Sequence, residues 1–303
     1  MTLTPISTTP LNAHQVGATG ALRVLAPRPR PPVSADDAIV VDNRPLRDRY
    51  WRLVLEAPDL AGAEPGQFAM VTVTRDASHG PVLPRPMAIY DVDPAAGHAV
   101  IVYSVVGEGT RTLAGFTTRQ RIGVVGPLGR GFDLPSTGDV LLLGRGIGTC
   151  SLTLLAKAAA DADVRVSAVA SGRNPAAVIG TDIYHAADAD ALIVDDETGS
   201  SHPDVLRERL VDALDARPPS LVATCGSTRL QQLAGALARR WAADAQVSVE
   251  AHMACGLGYC HGCSTAAVDD DVEAPLVCRD GPVFLLQCRP ERVPGPQSSR
   301  RCP

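Results

Sequence analysis

"GDVLLLGRGIGTCSLTLLAKAAADADVRVSAVASG", residues 138–172, changes its period twice. The apolar run at 140–143 has the length of a buried strand, and glycines at 144, 146 and 148 then break it. An Ala- and Leu-rich stretch with helical spacing follows, and "VRVSAVAS" (164–171) returns to a strand. Strand, tight turn, helix and strand make a βαβ unit, whose crossover joins parallel strands.

Toward the C-terminus the alternation continues with "ALIVDD" (191–196), helical "PDVLRERLVDAL" (203–214), "SLVATCG" (220–226) and helical "RLQQLAGALARRWA" (229–242). Residues 137–248 are therefore expected to form a parallel α/β domain with flanking helices. Toward the N-terminus the pattern is different. Short β-rich runs such as "AIVVDN" (38–43), "YWRLVLEAP" (50–58), "AVIVYSVV" (99–106) and "RIGVVGP" (121–127) are separated by Pro, Gly and Asp turns, so 37–136 is expected to be an antiparallel sandwich or barrel. Residues 1–36, with "APRPRPP" at 26–32, lack periodicity and read as a flexible arm, and 289–303 as a loose tail.

At 303 residues and 45% apolar content, the chain can bury a core in each of two domains. A net charge of −5 gives no basic face for a phosphate backbone, which argues against nucleic acid as a partner. No leader-like start and no apolar run of membrane-spanning length stand in the sequence, so a cytoplasmic location without membrane insertion is expected. In that compartment eight cysteines point to metal ligation, catalysis or plain burial ahead of disulfides.

Five of those cysteines fall within 249–288, a stretch too short to make its own core, with Cys288 at its very end and outside the pattern of the other four. Cys255, Cys260, Cys263 and Cys278 follow C-x4-C-x2-C-x14-C, and the first three reproduce the plant-type spacing for a 2Fe–2S cluster. A loop around a cluster must turn sharply and aim N–H groups at sulfur, which Gly256, Gly258 and Gly262 permit. Structural zinc and unligated buried thiols are the alternatives, and zinc ordinarily takes paired shorter knuckles. His252 and His261 read as neighbours of these ligands.

Gly144, Gly146 and Gly148, directly after a strand and before a helix, suit the pyrophosphate of a dinucleotide. Cys225, in "ATCGS" at the end of a later strand, points at a nicotinamide pocket. In the β-rich half, Gly109 and Thr110 could hold a phosphate at a helix start, with Arg85 as countercharge.

Taken together, "HMACGLGYCHGC" with "LVCRDGPVF", and "VVGEGT", "GRGIG", "DDETGS" and "TCGS" in this order, resemble the electron-transfer subunits of bacterial class 1B dihydroorotate dehydrogenases, members of the ferredoxin-reductase superfamily. The resemblance spans about residues 38–288. It implies an antiparallel FAD-binding β-barrel, an NAD-binding α/β domain and a small C-terminal 2Fe–2S lobe over 249–288. FAD would lie against Arg85, Pro86, Met87 and Ala88, against Val102, Tyr103 and Ser104, and against Gly109 and Thr110. The iron ligands would be Cys255, Cys260, Cys263 and Cys278. The implied partner is an FMN-containing catalytic subunit that oxidises dihydroorotate, in a heterotetramer. Electrons pass in the order NAD, FAD, cluster, FMN or the reverse, because a flavin handles both hydride pairs and single electrons.

This sequence departs from the family pattern at four places: Ala88 for a usual serine, Arg145 within a usual three-glycine run, Ser151 for a usual proline, and Ser227 where proline is common. With Arg173, and no acid, after the second α/β strand, NADP is an expected alternative to NAD. Two rival readings keep the cluster: a reductase component for another redox partner, and a sensor without turnover.

Overall fold

The computed structural model describes residues 20–73, 83–265 and 273–288. Six antiparallel strands close into the expected barrel: β2 (Ser34–Arg47), β3 (Tyr50–Glu56), β4 (Phe68–Val71), β5 (Arg85–Asp93), β6 (His98–Ser104) and β7 (Arg121–Leu128), in the order β2-β3-β6-β5-β4-β7. Alternate residues point inward, so Leu53, Leu55, Ile89, Ile101 and Tyr103 fill its interior. The intervening Tyr50, Val54, Val100 and Val102 are buried too, because the second domain covers the outside of β3 and β6. Both faces being covered, "YWRLVLE" reads as a nearly continuous apolar run. Helix α1 (Glu108–Ala114) closes one end, where Asn43 Nδ2 donates to Leu113 O and Phe116 O at 2.9 and 3.0 Å.

The second domain has parallel strands β8 (Val140–Arg145), β9 (Val166–Gly172), β10 (Asp190–Asp195), β11 (Leu221–Cys225) and β12 (Asp244–Ser248), in the order β10-β9-β8-β11-β12. Because the order reverses at β8 and β11, their carboxyl ends flank the crevice where such sheets bind ligands. Helices α2 (Thr153–Asp161) and α3 (Thr181–Ala186) cover one face, and α4 (Pro203–Leu214) and α5 (Thr228–Trp241) the other. Helix α5 buries Leu230, Leu233, Ala234, Leu237 and Ala238, one helical stripe, and Ser227 caps its start by accepting from Leu230 N.

Two antiparallel strands extend this sheet beyond β12: β13 (Val283–Cys288) and then β1 (Gly20–Val24). Both depart from the expected boundaries. The last strand of the 249–288 stretch belongs to the large sheet, because Val283 and Phe284 are fully buried in its cores. The flexible arm expected over 1–36 is structured from residue 20. Leu22 is buried, and Arg28 binds Glu64 at 2.9 Å and Asp133 at 2.6 Å. The prolines that suggested an arm lie in the connection after β1, where they break no ladder. Residues 1–19 and the tail over 289–303 lie outside the described residues.

The two domains are joined by more than the chain. Cys150, Ile179 and Ile183 pack on Val54, Val100 and Val102. Lys157 pairs with Asp91, Tyr90 donates to Asp182, Arg47 donates to Val178 O, and Arg173 pairs with Asp48.

Candidate functional site

A cleft of about 210 Å3 opens where the barrel, the α/β domain and the chain leaving β12 meet. Phe68, Pro86, Met87, Ala88 and Val102 form its barrel wall, and Ile147 and Ser151 its α/β wall. Ser248, Val249, Glu250, Ala251 and Met253 form the third wall and lead directly into Cys255. Four of the residues expected at a flavin, Pro86, Met87, Ala88 and Val102, therefore face one cavity. The third wall was not anticipated, because nothing local in "SVEAHM" marks it. Its position follows from β12 ending beside the barrel.

The remaining barrel residues divide. Arg85 donates to Leu83 O at 2.6 Å, and its guanidinium lies where Gly109 leaves room: a Cβ there would come within 2.7 Å of Arg85 Nη2. Ser104 Oγ is buried without a partner in the protein. Such a group costs stability until something pairs with it. Strand alternation turns the side chain of Tyr103 the other way: its ring packs inside the barrel against Trp51, and its hydroxyl donates to Asn43 Oδ1 at 3.0 Å. Thr110 is committed as well. Its Oγ1 accepts from Val106 N and Gly107 N at 3.0 and 3.1 Å, so its hydroxyl builds the start of α1 and is not spare for a phosphate. An apolar cleft, a guanidinium against a bare glycine and an unpartnered hydroxyl fit a flavin nucleotide.

The glycine turn after β8 opens on a 3-10 helix (Gly146–Ser151) before α2 begins, where a direct α-helical start was expected. Gly146 has φ +52°, and a Cβ on Gly144 would come within 2.7 Å of Thr149 Oγ1, a buried hydroxyl with no partner. Gly148 is the tightest constraint. A Cβ there would lie 2.8 Å from Gly226 N and 2.9 Å from Cys225 O, so the β8 and β11 turns touch through backbone. Cys225 ends β11 fully buried and does not itself wall the cleft. Its Sγ lies 3.6 Å from Ser151 Oγ, and burial pushes its thiol up to about 12. The hydroxyls of Ser151 and Ser248, both in the cleft wall, stand beside it. Glu250 is open to solvent on one side, yet enough protein surrounds its carboxyl to raise its pKa.

The cysteines form two pairs. Cys263 and Cys278 are buried, and Cys278 N donates to Cys263 Sγ at 3.4 Å. Cys255 is half-buried and Cys260 exposed, with their thiols in hydrogen-bond contact. Burial opposes the Cys255 thiolate, but hydrogen bonds from Leu257, Cys260 and Tyr259 outweigh it and bring its pKa to about 7. Among the described residues no three His, Cys, Asp or Glu side chains gather at one metal-ion position. Two pairs of thiols suit a cluster with two irons, each taking two sulfurs. Gly256 and Gly258 have φ +70° and +89°, as the tight loop requires, but the third left-handed residue is His261, at +56°, and not Gly262. His261 Nδ1 lies 3.2 Å from Glu273, clear of the thiols' own contacts. The loop is seated on the barrel, since a Cβ on Gly256 would run into Met70 Cγ.

Residues 250–287 match the family described as the iron-sulfur cluster binding domain of dihydroorotate dehydrogenase B. Among solved structures, that of an NADH-dependent reduced ferredoxin-NADP oxidoreductase superposes with a TM-score of 0.70 at 24% identity, covering 84% of this chain and 90% of that one, which establishes the shared fold. The ferredoxin reductase of carbazole 1,9a-dioxygenase superposes less closely, with a TM-score of 0.54 over 71% of this chain and 67% of that chain at 23% identity. The dihydroorotate dehydrogenase B (NAD(+)) electron transfer subunit of Geobacillus thermodenitrificans is 32% identical over 252 residues, which is 81% of this chain and 94% of that protein. Its counterpart from Bacillus velezensis is 32% identical over 256 residues, 82% of this chain and 96% of that protein. Matched over nearly the full length of such relatives, this chain belongs to the family of dihydroorotate dehydrogenase B electron transfer subunits.

Proposed function

We propose that this chain passes electrons between NAD and the FMN of a dihydroorotate dehydrogenase catalytic subunit, with FAD in the three-walled cleft and a 2Fe–2S cluster on Cys255, Cys260, Cys263 and Cys278. The observation that carries it is the cleft wall Ser248–Met253, which runs without interruption from the dinucleotide sheet past the barrel motif to Cys255. Bound there, a flavin trades hydride pairs with a nicotinamide and single electrons with a cluster, the exchange that joins the two ends of this site.

The chain's own residues divide the work. Arg85 and Gly109 would receive phosphate, and Pro86, Met87, Ala88 and Val102 would seat the flavin ring in an apolar wall. Ala88 offers no hydroxyl beside that ring, so a polar contact there falls to Ser151 or Ser248. The glycine turn at Gly144, Gly146 and Gly148 would admit the nucleotide over the carboxyl ends of β8 and β11. Cys225, kept a neutral thiol by burial, would back the nicotinamide position through Ser151 and Ser248.

Around Cys260 the surface is open, with Tyr259 86% and Leu257 45% exposed. Such apolar groups beside a redox centre suit docking of the catalytic subunit, two of these chains flanking a catalytic dimer in the cytoplasm. No helix among the described residues is long and apolar enough to cross a membrane.

Anaerobically purified protein tests the reading. About two irons and about one FAD per chain, with a visible spectrum bleached by NADH, are expected. Zinc without flavin would overturn it. Transfer of electrons to a co-purified dihydroorotate dehydrogenase, and none to unrelated oxygenases or ferredoxins, is the result expected for the partner.

A further inference from the structure

Three strand ends converge on a charge pair that the proposed electron path leaves without a role. Arg145 closes β8 directly after Gly144. Its Nη1 lies 3.0 Å from Ser171 Oγ on β9 and 3.1 Å from Asp196 Oδ1 just beyond β10, and its Nη2 lies 2.6 Å from Asp196 Oδ2. Ser201 donates to the same carboxylate. Hydrogen bonds from Arg145 are the main cause holding Asp196 below the usual carboxylate range. The backbone beneath is fixed as well: Gly226, at φ +125°, leaves only 3.0 Å between an added Cβ and Arg145 Cβ. One side remains open, the Arg145 side chain being 20% and the Asp196 side chain 37% exposed.

In doubly wound sheets an acid near the end of the strand after the glycine turn reads the ribose 2′-hydroxyl of NAD, and an arginine there accepts the 2′-phosphate of NADP. Here that strand is β9, which ends in Ser171 and Gly172 with no acid. Arg173 follows, but it is paired with Asp48 of the barrel at 2.9 Å. Asp196 arrives at the same edge from the neighbouring strand, and Arg145 ties it to Ser171.

The geometry points to the Arg145–Asp196 pair as the coenzyme selector of this chain. Asp196 accepts from the adenosine ribose hydroxyls of NAD and, by neutralising Arg145, withholds that cation from the 2′-phosphate of NADP. Arg145 is the positioning residue that holds that carboxylate over the end of β9. The inference rests on the proposed function only in taking a nicotinamide dinucleotide as the ligand.

Calorimetric titration of the flavin-loaded chain with NAD+ and NADP+, beside steady-state reduction of an artificial acceptor by NADH and NADPH, tests it. Wild type should favour NAD+. Asp196→Asn keeps the size of the side chain and removes its charge, so NADP+ should gain about tenfold relative to NAD+. In turnover the change should appear in the two KM values and leave kcat nearly unchanged. Arg145→Gly releases Asp196 and supplies no cation; NAD+ should weaken about tenfold with no gain for NADP+. General damage would not drive the two variants apart, and flavin content reports whether each has folded. Ratios within about twofold of wild type in both variants, or a wild type that prefers NADP+, would overturn the inference. A wild type that binds neither nucleotide would overturn the proposed function, and this inference with it.

Discussion

Two arginines stand beside two glycine turns, and they are committed differently. Arg85 lies against Gly109 and spends a hydrogen bond on a backbone carbonyl; among the described residues no carboxylate pairs with it. Arg145 lies beside Gly144 and is held in a bidentate pair by Asp196. An unneutralised guanidinium keeps its full attraction for phosphate, whereas a neutralised one adds little net charge to the ligand it meets. In the proposed function the barrel end would thus retain a cofactor and the sheet end let a nucleotide come and go.

The largest way to break this contrast is Arg85→Ala. Losing a charge-assisted contact of about 2 kcal/mol should weaken FAD roughly thirtyfold, and flavin per chain after gel filtration would reveal it. Flavin content equal to wild type would show that Arg85 retains nothing. A matched substitution at both turns sharpens the comparison. Gly148→Ala drives a Cβ into the backbone of Cys225 and Gly226 and should cost about 1–3 kcal/mol in urea unfolding. Gly109→Ala meets only the movable end of Arg85 within a helix, where alanine is preferred by about 1 kcal/mol, so its stability should stay near wild type.

Smaller effects follow at the domain seam and in the cleft wall. Arg173→Ala removes a pair that is 51% and 21% exposed and should cost no more than about 1 kcal/mol, with the NADH-to-NADPH ratio unmoved. A selective loss of NADPH use would restore Arg173 as the phosphate reader. Glu250 gives the smallest effect. Its pKa is raised in the folded chain, so the fold binds more protons than the unfolded state in the window just above the ordinary glutamate value, and stability declines as pH rises through it. Glu250→Gln should flatten that decline in thermal melts of flavin-free protein between pH 4 and 8, raising the melting temperature slightly at the alkaline end; an unchanged profile would place the titration elsewhere.

Much of this architecture could be read in advance where one local period governs. The βαβ unit at 138–172 and the cysteine spacing at 255–278 carry their structural meaning within a few residues of themselves. Failures came where a distant partner decides. Strand β1 is five residues long and finds its place only because β13, far along the chain, offers an edge. Tyr103 was grouped with Val102 and Ser104 as one block, although a strand sends its middle residue to the opposite face. Ser248–Met253 walls the cleft because β12 happens to end there. Gly262 was expected to supply a left-handed turn that His261 supplies, since polar residues tolerate that conformation when their side chains find local partners such as Glu273.

The seam between barrel and α/β domain bears on access. Lys157 on Asp91, Arg47 on Val178 O, and Cys150 and Ile183 packed among Val54, Val100 and Val102 tie the two bodies together across the seam. In the proposed site a dinucleotide would then reach the flavin through a standing crevice, without domain closure. Docking into such a preformed mould gives up little chain freedom.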